Sequence, residues 1–158
     1  MNIFVLDHHP VLAAVYQCDK HIPKMCLETA QMLCTALRVN GFEAQYKRAH
    51  VNHPCTKWTR ETRSNFEWLV AHGIELCNEF ERRFGKKHKC LEVIRNCSEH
   101  SDIIPAGDMT EFALAMPVEY KQSCPVLSYR TYYLKEKKYF AQWKKGTDAP
   151  FWWSQSTE

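Results

Sequence analysis

The segment CDKHIPKMCLETAQML, residues 18–33, places several reactive side chains directly before an apolar run that predicts a buried helix. At a helix start, cationic side chains and backbone N–H groups can together bind one anion, because this end of a helix is positive. A carboxylate beside an imidazole can orient the ring or accept a proton. We therefore predict catalytic roles for Asp19, Lys20, His21 and Lys24. The alternative is a capped helix start with solvated charges, in which Lys24 pairs with Glu28 one turn later.

A second group of basic residues spans a polar segment and the helix that follows it. The members for which we predict contacts to DNA phosphates are Lys47, Arg48, His50, His53, Arg60 and Arg63. Arg60 and Arg63 are one helical turn apart and could clamp a phosphate together. The alternative is a positively charged helix face, which by itself would still favour DNA binding.

The third group lies near the C-terminus, where residues 120–146 contain seven Lys or Arg and one acidic residue, interleaved with aromatic rings. Cations neutralise phosphates and flat rings stack on bases, so this composition is typical of nucleic-acid binding. We predict DNA contacts by Tyr132, Tyr133, Lys137, Lys138, Trp143 and Lys144. The alternative is an amphipathic helix with a buried aromatic stripe and a solvated lysine face.

The composition is that of an ordinary globular chain of 158 residues, 45% hydrophobic and 25% charged, with a formal charge of +3. This length is typical of one domain, so we expect residues 1–158 to form a single DNA-binding catalytic domain. The N-terminus lacks a signal-peptide pattern and no apolar run could span a membrane, which indicates a cytoplasmic protein. We expect a monomer with reduced cysteines and with no cofactor or metal; the alternative zinc ligands are His50, His53 and Cys55.

The predicted fold is mainly α, a single compact helical domain preceded by a short extended arm, NIFVL. Apolar spacing predicts helices at residues 11–17, 22–37, 56–84 and 128–145, with two short helices within 86–100 and after 108. Asp7 and Asp108 are the predicted N-caps of the first helix and of the helix after 108. Gly85 is the predicted stop of the longest helix.

The segment YQCDKHIPKMCLETA resembles the start of the first helix in the phage pyrimidine-dimer DNA glycosylase/lyase family, which has the endonuclease V fold. That family has a basic residue, a catalytic glutamate, an apolar residue, a proline and an arginine in succession. The corresponding positions here are Lys20, His21, Ile22, Pro23 and Lys24. Residues 53–86 are similar in position to the family's long central helix, and residues 129–146 are similar in character to its basic, aromatic C-terminal part. The resemblance implies a compact helical domain that binds double-stranded DNA.

Two departures from the family pattern bear on function. The family's catalytic glutamate corresponds to His21 in this chain. The family's nucleophile is the amine exposed when the initiator Met is removed. In this chain the second residue is Asn2, whose side chain is too large to permit that removal, so the available N-terminal amine is that of Met1. The resemblance therefore implies a DNA-binding scaffold more directly than it implies glycosylase/lyase chemistry.

From these departures we predict a phage-type transferase that acts on a pyrimidine in duplex DNA. It would replace the phosphate of 5-phosphomethyl-deoxyuridine with the amine of a free amino acid, a form of thymidine hypermodification. Lys20, Lys24 and Arg60 would hold the leaving phosphate, and His21 or Asp19 would deprotonate the incoming amine. The alternatives are a pyrimidine-dimer glycosylase/AP lyase and a non-enzymatic DNA-binding protein with the same fold.

Overall fold

The computed structural model describes residues 1–153, and its regular elements are helices; the described part contains no strand. In chain order these helices are α1 (Pro10–Val15), α2 (His21–Val39), α3 (Pro54–Glu61), α4 (Arg63–Phe84), α5 (Cys90–Ser98) and α6 (Pro125–Tyr132). A π-helical turn, Tyr133–Lys137, continues α6. The predicted mainly α class is confirmed. Within the described residues, no helix has the length and apolarity that a membrane span requires.

The two longest helices, α2 and α4, form the centre of the domain and pack against each other. Both bury apolar side chains at helical spacing, including Leu33 and Leu37 of α2 and Leu69 and Leu76 of α4. Gly73 of α4 permits a close approach here. A Cβ at this position would lie 2.7 Å from Thr29 Cγ2 and 3.0 Å from Ile94 Cδ1, so a side chain would force α2 and α5 away from α4.

The N-terminal arm is buried and has no regular secondary structure, and a left-handed residue within it means that it is not extended throughout. The Asn2 side chain holds it in place: Oδ1 accepts hydrogen bonds from the N–H groups of Ile3 at 2.7 Å and Phe4 at 3.0 Å. Asn2 Nδ2 donates to the carbonyl of Ala115 at 2.9 Å. Phe4 adopts a left-handed conformation with φ of 59°, which for a bulky residue persists only where the surroundings enforce it. These contacts fix the position of the chain's first residue.

The predicted single helix at residues 56–84 is two helices, so this prediction is wrong. Thr62 is extended, with φ of −140° and ψ of 157°, and its side chain accepts a hydrogen bond from Asn65 N as the N-cap of α4. A threonine that caps a new helix competes with continuation of the old one. The predicted stop at Gly85 is confirmed, since this residue is left-handed with φ of 72°.

The other boundary errors have local causes. His9, not Asp7, caps α1, because Asp7 accepts a hydrogen bond from His9 N and pairs with Arg130. The helix predicted after Asp108 is absent, since residues 108–117 are not helical. The chain there is held against the start of α4 instead, where Thr110 exchanges hydrogen bonds with the Asn65 side chain. The predicted helix at 128–145 begins earlier, at Pro125, and its helical part ends at Lys137.

Candidate active site and DNA-binding surface

The arm brings the N-terminal amine of Met1 to the carboxylate of Glu28 on α2. The amine lies 3.3 Å from Glu28 Oε1, and the backbone N–H of Asn2 donates to the same oxygen at 3.1 Å. The Met1 side chain is only 1% exposed, whereas the residue as a whole is half-buried. The exposed surface of Met1 therefore belongs to its main chain, and the amine is anchored beside a carboxylate at the protein surface.

The second oxygen of Glu28 is a free acceptor. Oε2 is buried and has no hydrogen-bond partner among the described residues. Lys24 Nζ lies 4.0 Å from Oε2, which is within ion-pair range but beyond hydrogen-bond range. The predicted alternative pairing of Lys24 with Glu28 is thus confirmed. Because the Lys24 side chain is 71% exposed, this pair constrains Glu28 only weakly. A buried carboxylate oxygen without a donor can accept a proton or a hydrogen bond from a substrate.

His53 shares the electrostatic environment of this pair. Burial lowers the pKa of His53, and the positive charges of the N-terminal amine and of His50 lower it further, while the Glu28 carboxylate opposes these effects. His53 also caps α3, since its Nδ1 accepts a hydrogen bond from Cys55 N at 3.1 Å. At neutral pH the ring is therefore neutral, with Nδ1 as acceptor and Nε2 as donor.

His21, the predicted proton acceptor, is 6% exposed and supports the arm. Its ring stacks on Phe4 at 4.5 Å between centroids, and its Nδ1 lies 2.6 Å from the Tyr133 hydroxyl. Burial, together with the charges of Lys137, Lys24 and Lys20, lowers the pKa of His21 to about 3. His21 is therefore neutral at physiological pH. Its role in proton transfer stays a prediction, whereas its contact with Phe4 links α2 to the arm that carries Met1.

Asp19 and Lys20 line a cavity of about 550 Å³ whose other charged residues are Lys144 and Lys145. Asp19 is held by structural partners, because it accepts hydrogen bonds from Arg83 Nη1 at 3.2 Å and from the backbone N–H of Lys144 at 2.8 Å. Three lysines against one paired carboxylate make this cavity attractive to anions. The structure thus brings together residues from the first and the third predicted groups.

Lys47 and Arg48 line a second cavity, of about 390 Å³, together with Lys89 of the segment before α5. Leu27 and Gln31 of α2 form its wall, and they flank Glu28 in the sequence. The basic residues are exposed. Lys47 and Arg48 therefore present positive charge on the surface next to the helix that carries Glu28, where a DNA backbone could be held.

The predicted phosphate clamp of Arg60 and Arg63 stays a prediction. Its one-turn spacing assumed a continuous helix, but the break at Thr62 separates the two residues into different helices. Arg60 donates to the carbonyl of Val51 at 2.7 Å. Arg63 donates to three carbonyls of the turn after α5, those of Ser101, Asp102 and Ile104. Both guanidinium groups thus anchor loops.

The aromatic residues of the third group divide by burial. Tyr133 is fully buried, which leaves no face on which a base could stack, so its predicted stacking role is wrong. Tyr132 is half-buried, with Lys137 Nζ 4.8 Å from its ring centroid. Trp143 is half-buried and donates from Nε1 to the carbonyl of Tyr16 at 3.2 Å. Tyr132 and Trp143 therefore remain the candidates for stacking, and the exposed Lys138 and Lys144 remain candidates for phosphate contacts.

The Met1–Glu28 pair was missed by sequence reasoning, which gave Glu28 only the role of a partner for Lys24. One signal was present. Glu28 follows His21 by seven residues, about two helical turns, so both lie on the same face of α2. The same arm contacts both positions, since Phe4 stacks on the His21 ring and the Met1 amine lies beside Glu28.

The family comparison agrees with this arrangement. A family model described as pyrimidine dimer DNA glycosylase matches residues 1–93, which is more than half of the chain and includes both Met1 and Glu28. Searches of curated proteins and of solved structures returned no match. The all-helical architecture is that of the endonuclease V-like fold, and the family indicates a partner in DNA. The chain therefore belongs to the pyrimidine dimer DNA glycosylase family.

Proposed function

We propose that this protein is an enzyme that attacks a damaged pyrimidine nucleotide in duplex DNA with the amine of Met1, as a glycosylase/AP lyase. The observation that carries this proposal is the 3.3 Å contact between the amine and Glu28 Oε1, beside a second carboxylate oxygen that has no donor. A protonated amine is not a nucleophile, and a carboxylate within hydrogen-bond reach can accept its proton. Glu28 is the candidate acceptor in that step.

The chemistry follows from these two groups. The amine nitrogen attacks C1′ of the nucleotide, the bond from C1′ to the base breaks, and the base leaves with a proton. Opening of the sugar ring then gives an imine between the protein and the DNA. Abstraction of a C2′ proton by a carboxylate lets the 3′ phosphate leave and cleaves the strand. Glu28 Oε2 is the candidate acceptor of that proton, and exposed Lys47 and Arg48 are candidates for holding the backbone.

Borohydride trapping on a duplex with a thymine dimer tests this proposal, because reduction of an imine links protein and DNA covalently. We expect the parent protein to form a trapped adduct at the Met1 amine, located by mass spectrometry. Glu28→Gln should reduce adduct formation about 10²–10⁴-fold, and acetylation of the amine should abolish it. The matched control is Glu67→Gln, an exposed glutamate on α4. No adduct with the parent, or equal trapping with Glu28→Gln, would contradict the proposal.

A second candidate function is the transferase predicted above, and the lysine-lined cavity favours it. Lys20, Lys144 and Lys145 surround a volume of about 550 Å³, which could hold the phosphate that leaves 5-phosphomethyl-deoxyuridine or the carboxylate of a free amino acid. The step joins the amino acid nitrogen to the methylene carbon and releases inorganic phosphate. In this reaction His21 or Asp19 would accept the amine proton, as predicted from the sequence.

Nucleoside mass spectrometry separates the two functions. The parent protein is incubated with duplex DNA containing phosphorylated 5-hydroxymethyl-uracil and a mixture of amino acids. A nucleoside that carries an amino acid bound through its nitrogen, without strand cleavage, would support the transferase, and its loss in Lys20→Ala/Lys144→Ala would assign the cavity. A product that forms equally well from unphosphorylated DNA would rule this reaction out. If neither product forms from either substrate, the third prediction remains, which is a non-enzymatic DNA-binding protein.

A further inference from the structure

Two buried thiols and an imidazole lie close together where α2, α4 and the segment between α4 and α5 meet. Cys26 lies on α2, Cys77 lies on α4, and His88 lies in the segment between α4 and α5. One potential ligand atom from each residue lies within 4.8 Å of the other two. In a tetrahedral zinc site, metal–sulfur bonds of about 2.3 Å and metal–nitrogen bonds of about 2.0 Å place ligand atoms about 3.6–3.8 Å apart. Contraction by about 1 Å, well within side-chain rotation, would therefore close the site.

The surroundings suit a metal as well. Cys26 and Cys77 are 0% and 2% exposed, so a bound ion would be shielded from water and from competing ligands. Both nitrogens of His88 have partners: Nε2 lies 3.2 Å from the carbonyl of Pro23, and Nδ1 accepts a hydrogen bond from Cys90 N at 3.1 Å. Coordination through Nδ1 replaces the hydrogen bond from Cys90 N–H with a metal bond, and Nε2–H can still donate to the Pro23 carbonyl. This hydrogen bond remains to orient the ring, as second-shell partners of histidine ligands do.

The remaining buried thiols provide a contrast. Cys34 and Cys97 also lie close together, with their sulfur atoms 3.6 Å apart, but this pair is not part of any group of three ligands among the described residues. The sequence-based alternative for zinc, formed by His50, His53 and Cys55, does not form such a group either in the described structure. Within the described part, three potential metal ligands thus meet at one place only.

We propose that Cys26, Cys77 and His88 bind a zinc ion. Thiolate sulfur and imidazole nitrogen are the ligands that zinc prefers, whereas magnesium and calcium require oxygen ligands. Binding displaces one proton from each thiol, and a water molecule or a fourth protein ligand completes the tetrahedron. Because the ligands come from α2, α4 and the segment between α4 and α5, the ion would fasten these three parts of the chain to one another. This role is structural and is independent of which reaction that site performs.

Metal analysis and cobalt spectroscopy of the full chain test the proposal. Protein purified under reducing conditions without chelator should contain about one equivalent of zinc by mass spectrometry. After removal of the zinc, added Co²⁺ should give the thiolate charge-transfer and tetrahedral d–d absorption bands. Zinc should also raise the Tm of the metal-free protein. Cys77→Ser and His88→Ala should lose the cobalt bands and the Tm shift, while Cys97→Ser should keep both.

His88→Ala keeps the test informative if a buried cysteine variant fails to fold, because His88 is half-buried at the edge of the cluster. Three results would overturn the proposal. The first is protein that neither contains zinc nor develops cobalt bands. The second is a cobalt spectrum that is unchanged in both His88→Ala and Cys77→Ser, which would place the metal elsewhere. The third is equal loss of binding in Cys97→Ser, which would show a general effect of removing buried thiols.

Discussion

Replacement of Arg83 by methionine tests whether Asp19 belongs to a buried ion network or is available for catalysis. The Arg83 side chain is 0% exposed and donates to Glu79 Oε2 at 2.9 Å and to Asp19 Oδ1 at 3.2 Å. It also donates to the carbonyls of Gln17 at 2.7 Å and of Val15 at 2.8 Å. Methionine retains much of the aliphatic volume but can make none of these hydrogen bonds, so the variant removes the network with little change in packing.

The expected loss is that of a buried ion pair from which one partner is removed, about 3–5 kcal/mol in the free energy of unfolding. Some donors remain. Glu79 keeps Arg82 and the Thr147 hydroxyl, and Asp19 keeps the backbone N–H of Lys144. We therefore expect a value at the lower end, about 3 kcal/mol. For a urea m-value of about 2 kcal/mol/M, this loss lowers the midpoint of unfolding by about 1.5 M.

Urea unfolding followed by circular dichroism measures this change, and the neighbouring arginine provides the control. Arg82 contacts the same Glu79 carboxylate, but its side chain is 54% exposed, so Arg82→Met should cost less than about 1 kcal/mol. Adding Asp19→Asn to Arg83→Met should recover part of the loss, because an unpaired buried charge is then removed. A loss below about 1 kcal/mol for Arg83→Met, or one equal to that of Arg82→Met, would refute the network and leave Asp19 free for catalysis.

Three further predictions concern packing, pH and DNA. Gly73→Ala should reduce the free energy of unfolding by about 1–3 kcal/mol, because its Cβ would lie 2.7 Å from Thr29 Cγ2; urea unfolding measures this. The pKa of His21 is lowered to about 3 in the folded state, against about 6.5 in the unfolded state. The contribution of His21 to the free energy of unfolding is therefore fully present above about pH 6.5. As the pH falls below about 6.5, the free energy of unfolding decreases by up to about 1.4 kcal/mol per pH unit. His21→Gln should flatten this dependence in unfolding experiments between pH 7 and pH 5. Lys47→Ala and Lys138→Ala should each weaken DNA binding. The slope of log K against log salt concentration should become shallower by about 0.9 for each phosphate that the variant no longer neutralises.

Each of these expectations has a contrary outcome. An alanine at residue 73 that leaves stability unchanged would show that α2 and α5 can shift without cost. His72 has a lowered pKa of about 4 for the same reason, burial, so some acid sensitivity should persist in His21→Gln. An identical pH dependence in the parent and in His21→Gln would contradict the assignment of a neutral, buried ring. An affinity for DNA that does not change with salt would contradict the phosphate contacts.

The features that depend on local spacing could be predicted from the sequence alone. Apolar periodicity identified a mainly helical chain, Gly85 marked the end of α4, and the four-residue separation of Lys24 and Glu28 predicted their pairing. The segment that begins with Lys20 indicated the family to which the chain belongs. These features were accessible because helices, caps and one-turn pairs involve residues close together along the chain.

Contacts between residues far apart in the chain depend on the tertiary structure. The contact of Met1 with Glu28 depends on the path of the buried arm, and no spacing in the sequence encodes that path. Arg63, a predicted DNA contact, donates to three carbonyls of the turn after α5, and no spacing in the sequence indicates that pairing. Likewise, Cys26 and Cys77 approach each other only when α2 packs on α4. In each case the residue type shows which chemistry the side chain can perform. Its partner depends on how the helices and the arm pack when they bury their apolar surface.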